Sequence, residues 1–181
     1  MKLYSAFLAV LFWLLNASAL AEKRVALVIG NSAYTHAPAL ANPKNDAEGM
    51  AAALKRLDFE VLAGTDLAKP AMDKLLQAFA DKLEKADVAV VFYAGHGLQV
   101  NGRNYLVPID GKLDNESDLV FHGVSLDVVL QSMQQARRTN IMFLDTCRGL
   151  HLLLISLSNA QGSSRFHTHH AARDCGTMPS R

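Results

Sequence analysis

The chain has 181 residues, a formal charge of +1 from 18 Lys+Arg and 17 Asp+Glu, and 50% apolar residues. That length suits one domain with a real core, and the apolar share excludes a disordered chain. Near-neutral charge removes the electrostatic case for nucleic acid or an anionic membrane, and two cysteines cannot build a disulfide scaffold or a four-cysteine zinc site.

Residues 1–21 carry one base, Lys2, and no acid. An apolar run over residues 6–15 is followed by small residues, including Ala19 and Ala21. This is the pattern of a secretory signal peptide, with cleavage expected after Ala21 and Ala17-Ser18-Ala19 as a second frame. The run is short for a membrane anchor, which takes about 20 apolar residues. An exported protein is therefore expected, periplasmic or extracellular, with its thiols in an oxidising compartment and no stable membrane insertion after cleavage.

The rest reads as strands alternating with helices. Residues 24–30 hold Val-Ala-Leu-Val-Ile, a continuous apolar run expected of a strand covered on both faces. A loop follows over 31–43. Residues 45–57 read as a helix with Met50, Ala53, Leu54 and Leu57 on one face. A short strand is expected over 59–62, ended by Gly64. Pro70 suits the first turn of a helix running to Lys85, with Met72, Leu75, Leu76, Phe79 and Leu83 at helical spacing. A third buried strand is expected over 87–93. Asn101-Gly102 between short strand-like runs is a hairpin signal. Ser125 is placed to cap a helix with Leu126, Val129, Leu130 and Met133 on its apolar face. A fourth buried strand is expected over 140–144. The alternation predicts an α/β fold: a mostly parallel sheet, right-handed crossovers and helices on both faces.

Ligands of open α/β sheets bind beyond the carboxyl ends of the strands. His96 follows the third strand and Cys147 the fourth, so both leave the same edge of the sheet. If those strands are neighbours, a thiol faces an imidazole, which activates it as a nucleophile. The amides of Gly97 and Cys147 are candidate donors to an oxyanion. Taken singly, His96 reads as a loop histidine and Cys147 as a small buried hydrophobe; together they point to catalysis.

Residues 24–149 resemble the catalytic region of caspase-like cysteine peptidases, and bacterial metacaspase-like members more than animal caspases. The resemblance rests on Tyr93-Ala94-Gly95-His96-Gly97, on Asp145-Thr146-Cys147-Arg148-Gly149, on the strand-like Tyr105-Leu106-Val107-Pro108-Ile109-Asp110 and on Asn45-Asp46-Ala47. The cysteine lies 51 residues after the histidine, near the family's separation of about 50. The resemblance implies a caspase-like domain over 22–157, with Cys147 as nucleophile and His96 as general acid/base. It further implies that Asp46 and Asp145 line the primary specificity pocket. Two carboxylates there favour Arg or Lys in a polypeptide substrate.

After Gly149 the sequence leaves the family's pattern. The expectation is a chain truncated after the catalytic cysteine, lacking the usual C-terminal strands, with a disordered tail over 158–181. His167, His169, His170 and Cys175 match no closed zinc site, and Cys175 pairing with Cys147 would block the nucleophile. Calcium dependence occurs in part of the metacaspase group. Asp110 and Asp118 lie near the histidine block, but they form no liganding pattern, so neither metal nor cofactor is expected. The alternative to a peptidase is a catalytically weak relative that binds polypeptide. A nucleotide-binding domain is discounted, because Gly30-Asn31-Ser32 is followed by no Gly-x-Gly-x-x-Gly and no Walker lysine loop.

Overall fold

The computed structural model describes residues 22–134 and 138–146. The expected signal segment, Cys147, the apolar stretch after Gly149 and the expected disordered tail lie outside the described residues, as does the question of further C-terminal strands.

Eleven elements follow in chain order: β1 Arg24–Gly30, α1 Pro43–Arg56, β2 Glu60–Thr65, α2 Lys69–Leu83, β3 Val88–Gly95, β4 Gly97–Val100, β5 Arg103–Leu106, α3 Asp118–His122, β6 Val124–Ser125, α4 Leu126–Gln134 and β7 Thr139–Thr146. Four strands form a parallel sheet in the order β2-β1-β3-β7, and β4-β5-β6 form a small antiparallel sheet. The α/β class and the parallel sheet are those the sequence predicts.

Successive side chains of a strand point to opposite faces, so each central strand feeds two cores. On one face Ala26, Val28, Val90 and Phe92 pack with Ala47, Ala51 and Leu54 of α1. On the other, Val25, Leu27, Ile29, Val91, Met142 and Leu144 pack with Met72, Phe79 and Leu83 of α2 and Val129 and Met133 of α4. Strands buried on both faces need the unbroken apolar runs seen in β1 and β3. No helix of the described residues is long and apolar enough to cross a membrane.

Several boundaries differ from the sequence reading. The first helix begins at Pro43 rather than Asn45, because proline is pre-set for a first turn and the Ser32 hydroxyl accepts the Lys44 amide at 3.1 Å. The second strand runs through Gly64 to Thr65 instead of stopping at Leu62. Gly64 serves there as a close approach: a Cβ would lie 2.8 Å from the Leu67 side chain. The short α3 and β6 have no periodicity to announce them and are absent from the sequence reading. Asn101 and Gly102 both take positive φ, 50° and 76°, as a tight β4–β5 turn requires.

Arg138 locks the far end of the molecule. Nearly excluded from solvent, its guanidinium donates to the carbonyls of Leu83, at the end of α2, and of Met133 and Ser132, near the end of α4. One cation thus meets last-turn carbonyls of two helices and the negative ends of both dipoles. Burial pulls its pKa below the ordinary guanidinium value, which still leaves it charged at neutral pH.

Candidate active site

The site is built where β3 and β7 end together. Their parallel register pairs Ala94 with Asp145 and Gly95 with Thr146. His96 is the next residue after Gly95, and position 147 the next after Thr146. Neighbouring strands lie about 4.8 Å apart, so Gly95 and Thr146, the residues just before His96 and Cys147 in the chain, stand side by side at one edge. That adjacency was only a condition in the sequence reading. Cys147 itself lies outside the described residues.

His96 is half-buried and held on every side. Its Nε2 lies 2.8 Å from the Pro38 carbonyl oxygen. A carbonyl oxygen only accepts, so Nε2 carries the proton and Nδ1 is the basic nitrogen of the neutral ring. The Tyr34 ring packs against the imidazole, 4.4 Å between centroids and tilted by 55°. The His96 amide donates to Tyr34 Oη at 2.7 Å, and the His96 carbonyl accepts from Tyr93 Oη at 2.7 Å and from the Val107 amide at 3.0 Å. Gly95 makes room for this arrangement, because a Cβ there would sit 2.5 Å from Tyr34 Oη and 2.7 Å from Tyr93 Oη. Tyr93 is fully buried. Burial first, and then the neighbouring Tyr34 phenol, push its pKa well above the ordinary phenol value, so it keeps its proton.

The loop over 31–42 carries Tyr34 and Pro38, and it is anchored in turn. Asn31 is wholly buried: its Nδ2 donates to Val107 O at 3.2 Å and its Oδ1 accepts the Leu67 amide at 3.0 Å. Asp66 Oδ1 accepts the amides of Ser32 and Ala33 at 2.8 and 2.9 Å. Thr35 donates its amide to Ile109 O at 2.8 Å. Gly30-Asn31-Ser32 thus holds a loop together instead of opening a phosphate cradle.

Gly97 lies directly over the end of β7, where an added Cβ would meet Thr146 Cγ2 at 2.9 Å. It pairs with Leu106, and the Val107 amide bonds the His96 carbonyl one step outside that pair. The alternation of antiparallel bonds makes Gly97–Leu106 a non-hydrogen-bonded pair, so the Gly97 amide stays outside the ladder.

The two carboxylates are in a different condition. Asp46 is exposed in the first turn of α1, and Asp145 is half-buried near the end of β7. Alternation from Ile141 and Phe143, which pack against the α1 cluster, puts Asp145 on the α1 face. Gly30 and Ala94 share one row across the strands with Asp145. A Cβ on Gly30 would meet the Pro43 carbonyl at 2.3 Å, so the start of α1 rests on that row. Among the described residues, neither side-chain carboxylate has a hydrogen-bond or ion-pair partner.

Asp110 and Asp118 serve backbone. Asp110 accepts the Lys69 amide at 2.8 Å, capping α2, and Asp118 accepts the amides of Asp114 and Asn115, each at 2.9 Å. Among the described residues no group of three or more His, Cys, Asp or Glu is placed to hold a metal ion. Sequence reasoning missed Tyr34, Pro38, Asn31 and the part played by Tyr93. Only the tyrosine in Tyr93-Ala94-Gly95-His96 offered a signal, a polar tip inside an otherwise apolar strand.

Comparison with known proteins bears on the family and the fold. The caspase domain family matches residues 23–175. Mucosa-associated lymphoid tissue lymphoma translocation protein 1 of Homo sapiens and its homolog in Mus musculus are each 32% identical over 130 residues, which is 71% of this chain. The matched part is only 15% of the length of either relative. The crystal structure of the Drosophila initiator caspase Dronc shares the fold, with a TM-score of 0.54 at 15% identity over 71% of this chain and 54% of that one.

Proposed function

This chain belongs to the caspase domain family of cysteine peptidases, and from that premise we propose that it hydrolyses peptide bonds through a Cys147–His96 dyad, after arginine or lysine. The observation that carries the reading is the register of β3 with β7, in which Gly95 pairs with Thr146.

Cys147 Sγ passes its proton to His96 Nδ1, and the thiolate attacks the substrate carbonyl carbon. The C=O π pair moves onto oxygen, where the amides of Gly97 and Cys147 receive the charge. Collapse restores the carbonyl and breaks the C–N bond, and the leaving nitrogen takes the proton from Nδ1. Water then adds to the thioester carbon and gives a proton to Nδ1. The second collapse expels the cysteine sulfur as thiolate and releases the acid, which regenerates the thiolate–imidazolium pair. The Pro38 carbonyl serves throughout, because it holds the proton on Nε2 and leaves Nδ1 to take and give the proton in transit. No cofactor enters these steps.

Specificity follows from Asp46 and Asp145. Two carboxylates on the α1 side of the carboxyl edge, without a partner among the described residues, suit a basic side chain and repel an acidic one. Residues 1–21 support export to the periplasm or the extracellular space; a mature N-terminus at Glu22 would establish cleavage.

The test uses the full chain and matched short amide substrates ending in Arg, Lys or Asp, with iodoacetamide alkylation as an independent measure of the thiolate. Turnover of the basic substrates, lost in Cys147→Ala and in His96→Ala, is the expected result. Retained turnover in purified Cys147→Ala would sink the dyad. Preference for the Asp-ended substrate would sink the pocket assignment alone.

A further inference from the structure

We infer that Tyr93 is a positioning residue for the oxyanion donor: its hydroxyl, bonded to the His96 carbonyl, sets the plane of the His96–Gly97 peptide and strengthens the Gly97 amide as a donor. The inference rests on the Cys147–His96 reading above and adds to it a residue outside the dyad.

A phenol has one proton to give. Tyr93 Oη lies 2.7 Å from His96 O, against 3.1 Å from Val107 O and 3.4 Å from Tyr34 Oη. The shortest contact, at the usual O–H···O length, marks where the proton goes. The His96 carbonyl thereby has both lone pairs engaged, one by Tyr93 and one by the Val107 amide at 3.0 Å. A trans peptide is planar, with its N–H directed opposite its C=O. Fixing the His96 oxygen therefore fixes the direction of the Gly97 N–H, an amide that lies outside the hairpin ladder. Hydrogen bonds on a carbonyl also polarise its amide, by about 10–30% per bond in condensed phase.

Packing does not explain the hydroxyl. Phenylalanine would fill the same buried space, and each acceptor that faces Oη keeps another donor. His96 O would keep the Val107 amide, Val107 O would keep Asn31 Nδ2 at 3.2 Å, and Tyr34 Oη would keep the His96 amide at 2.7 Å. The chain nonetheless places a polar oxygen inside its core and reserves Gly95 to admit it, since a Cβ would stand 2.7 Å from that oxygen.

Tyr93→Phe in the full chain is therefore expected to fold, and three readouts follow. The Gly97 amide proton resonance moves upfield, as for an amide whose carbonyl has lost a hydrogen bond. A peptide aldehyde ending in Arg binds about tenfold more weakly, because Cys147 sulfur adds to its carbonyl carbon and drives the electron pair onto oxygen, the charge that Gly97 meets. Alkylation by iodoacetamide, which develops no oxyanion, stays within about twofold, and kcat falls about tenfold with KM nearly unchanged. Gly95→Ala, which keeps both tyrosines but crowds their hydroxyls, moves the Gly97 resonance the same way. An unmoved Gly97 resonance in Tyr93→Phe overturns the proposal, as does a parallel fall in aldehyde affinity and alkylation. A wild-type chain that neither cleaves nor alkylates overturns the dyad reading instead, and the Gly97 resonance still decides the role of Tyr93.

Discussion

The surroundings of His96 and those of the acid pair lie at the same carboxyl edge of one sheet, yet they are built by opposite rules. Around His96 the named polar groups have partners. The imidazole Nε2, the His96 amide and the His96 carbonyl are all bonded, and the loop that supplies Tyr34 and Pro38 is itself tied through Asn31 and Asp66. Asp46 and Asp145, beside Gly30 and Ala94, have no side-chain partner among the described residues. The first arrangement spends protein contacts to hold one ring in one pose, as preorganised catalysis requires. The second leaves two carboxylates without a partner among the described residues, which suits the proposed recognition of a basic side chain.

The largest expected effect breaks the held side. His96→Ala lowers kcat by about 10⁴-fold while leaving the unfolding midpoint near wild type, because the half-buried ring carries chemistry more than packing. Kinetics and denaturant titration on the same preparation check both parts, and a large loss of stability would show the ring to be structural.

Asn31→Ala tests the anchoring of the loop. The substitution removes a buried amide that bonds Val107 O and the Leu67 N–H, at a cost of about 2–3 kcal/mol. Urea unfolding should show a lower midpoint at unchanged slope, and activity should fall beyond what the unfolded fraction explains. Stability lost with specific activity kept would separate the loop from the pose of His96.

Asp145→Asn addresses the open side. Opposite charges about 4 Å apart interact by about 4 kcal/mol at an effective dielectric of 20, and solvent access reduces that. The expected outcome is a loss of about tenfold in kcat/KM for Arg-ended substrates, with a melting temperature within about 1 °C of wild type. A melting temperature lowered by several degrees would contradict the contrast drawn between the two regions.

The smallest effect concerns alkaline pH. The folded Tyr93 phenol keeps its proton above the pH, about 10, at which the unfolded one ionises. Its stabilisation is full below that pH and is lost as pH rises through the raised folded value. Tyr93→Phe should therefore lose stability less steeply than wild type between about pH 9.5 and 11. Parallel slopes would mean that the hydroxyl ionises as readily in the folded core as out of it.

The sequence by itself determined the four strands of the parallel sheet, the two long helices and the residues that carry the family resemblance, because each is written in local pattern. Val25 to Ile29 is apolar without a break, Met72, Leu75, Leu76, Phe79 and Leu83 repeat at helical spacing, and Asn101-Gly102 admits little but a tight turn. The histidine and cysteine blocks were legible as strand ends for the same reason. Only the tertiary structure decided that β3 and β7 are neighbours in the register Gly95–Thr146, that Pro38 chooses the tautomer of His96, and that Ser32 and Asp110 cap helices opening at residues 43 and 69. Each of those joins positions far apart in the chain, 58 residues in the case of Pro38 and His96. A backbone carbonyl can accept whatever its side chain is, so no residue type marks it in advance. Local pattern encodes which face of an element is buried, and long-range hydrogen bonds depend on where the buried faces bring the remaining polar groups.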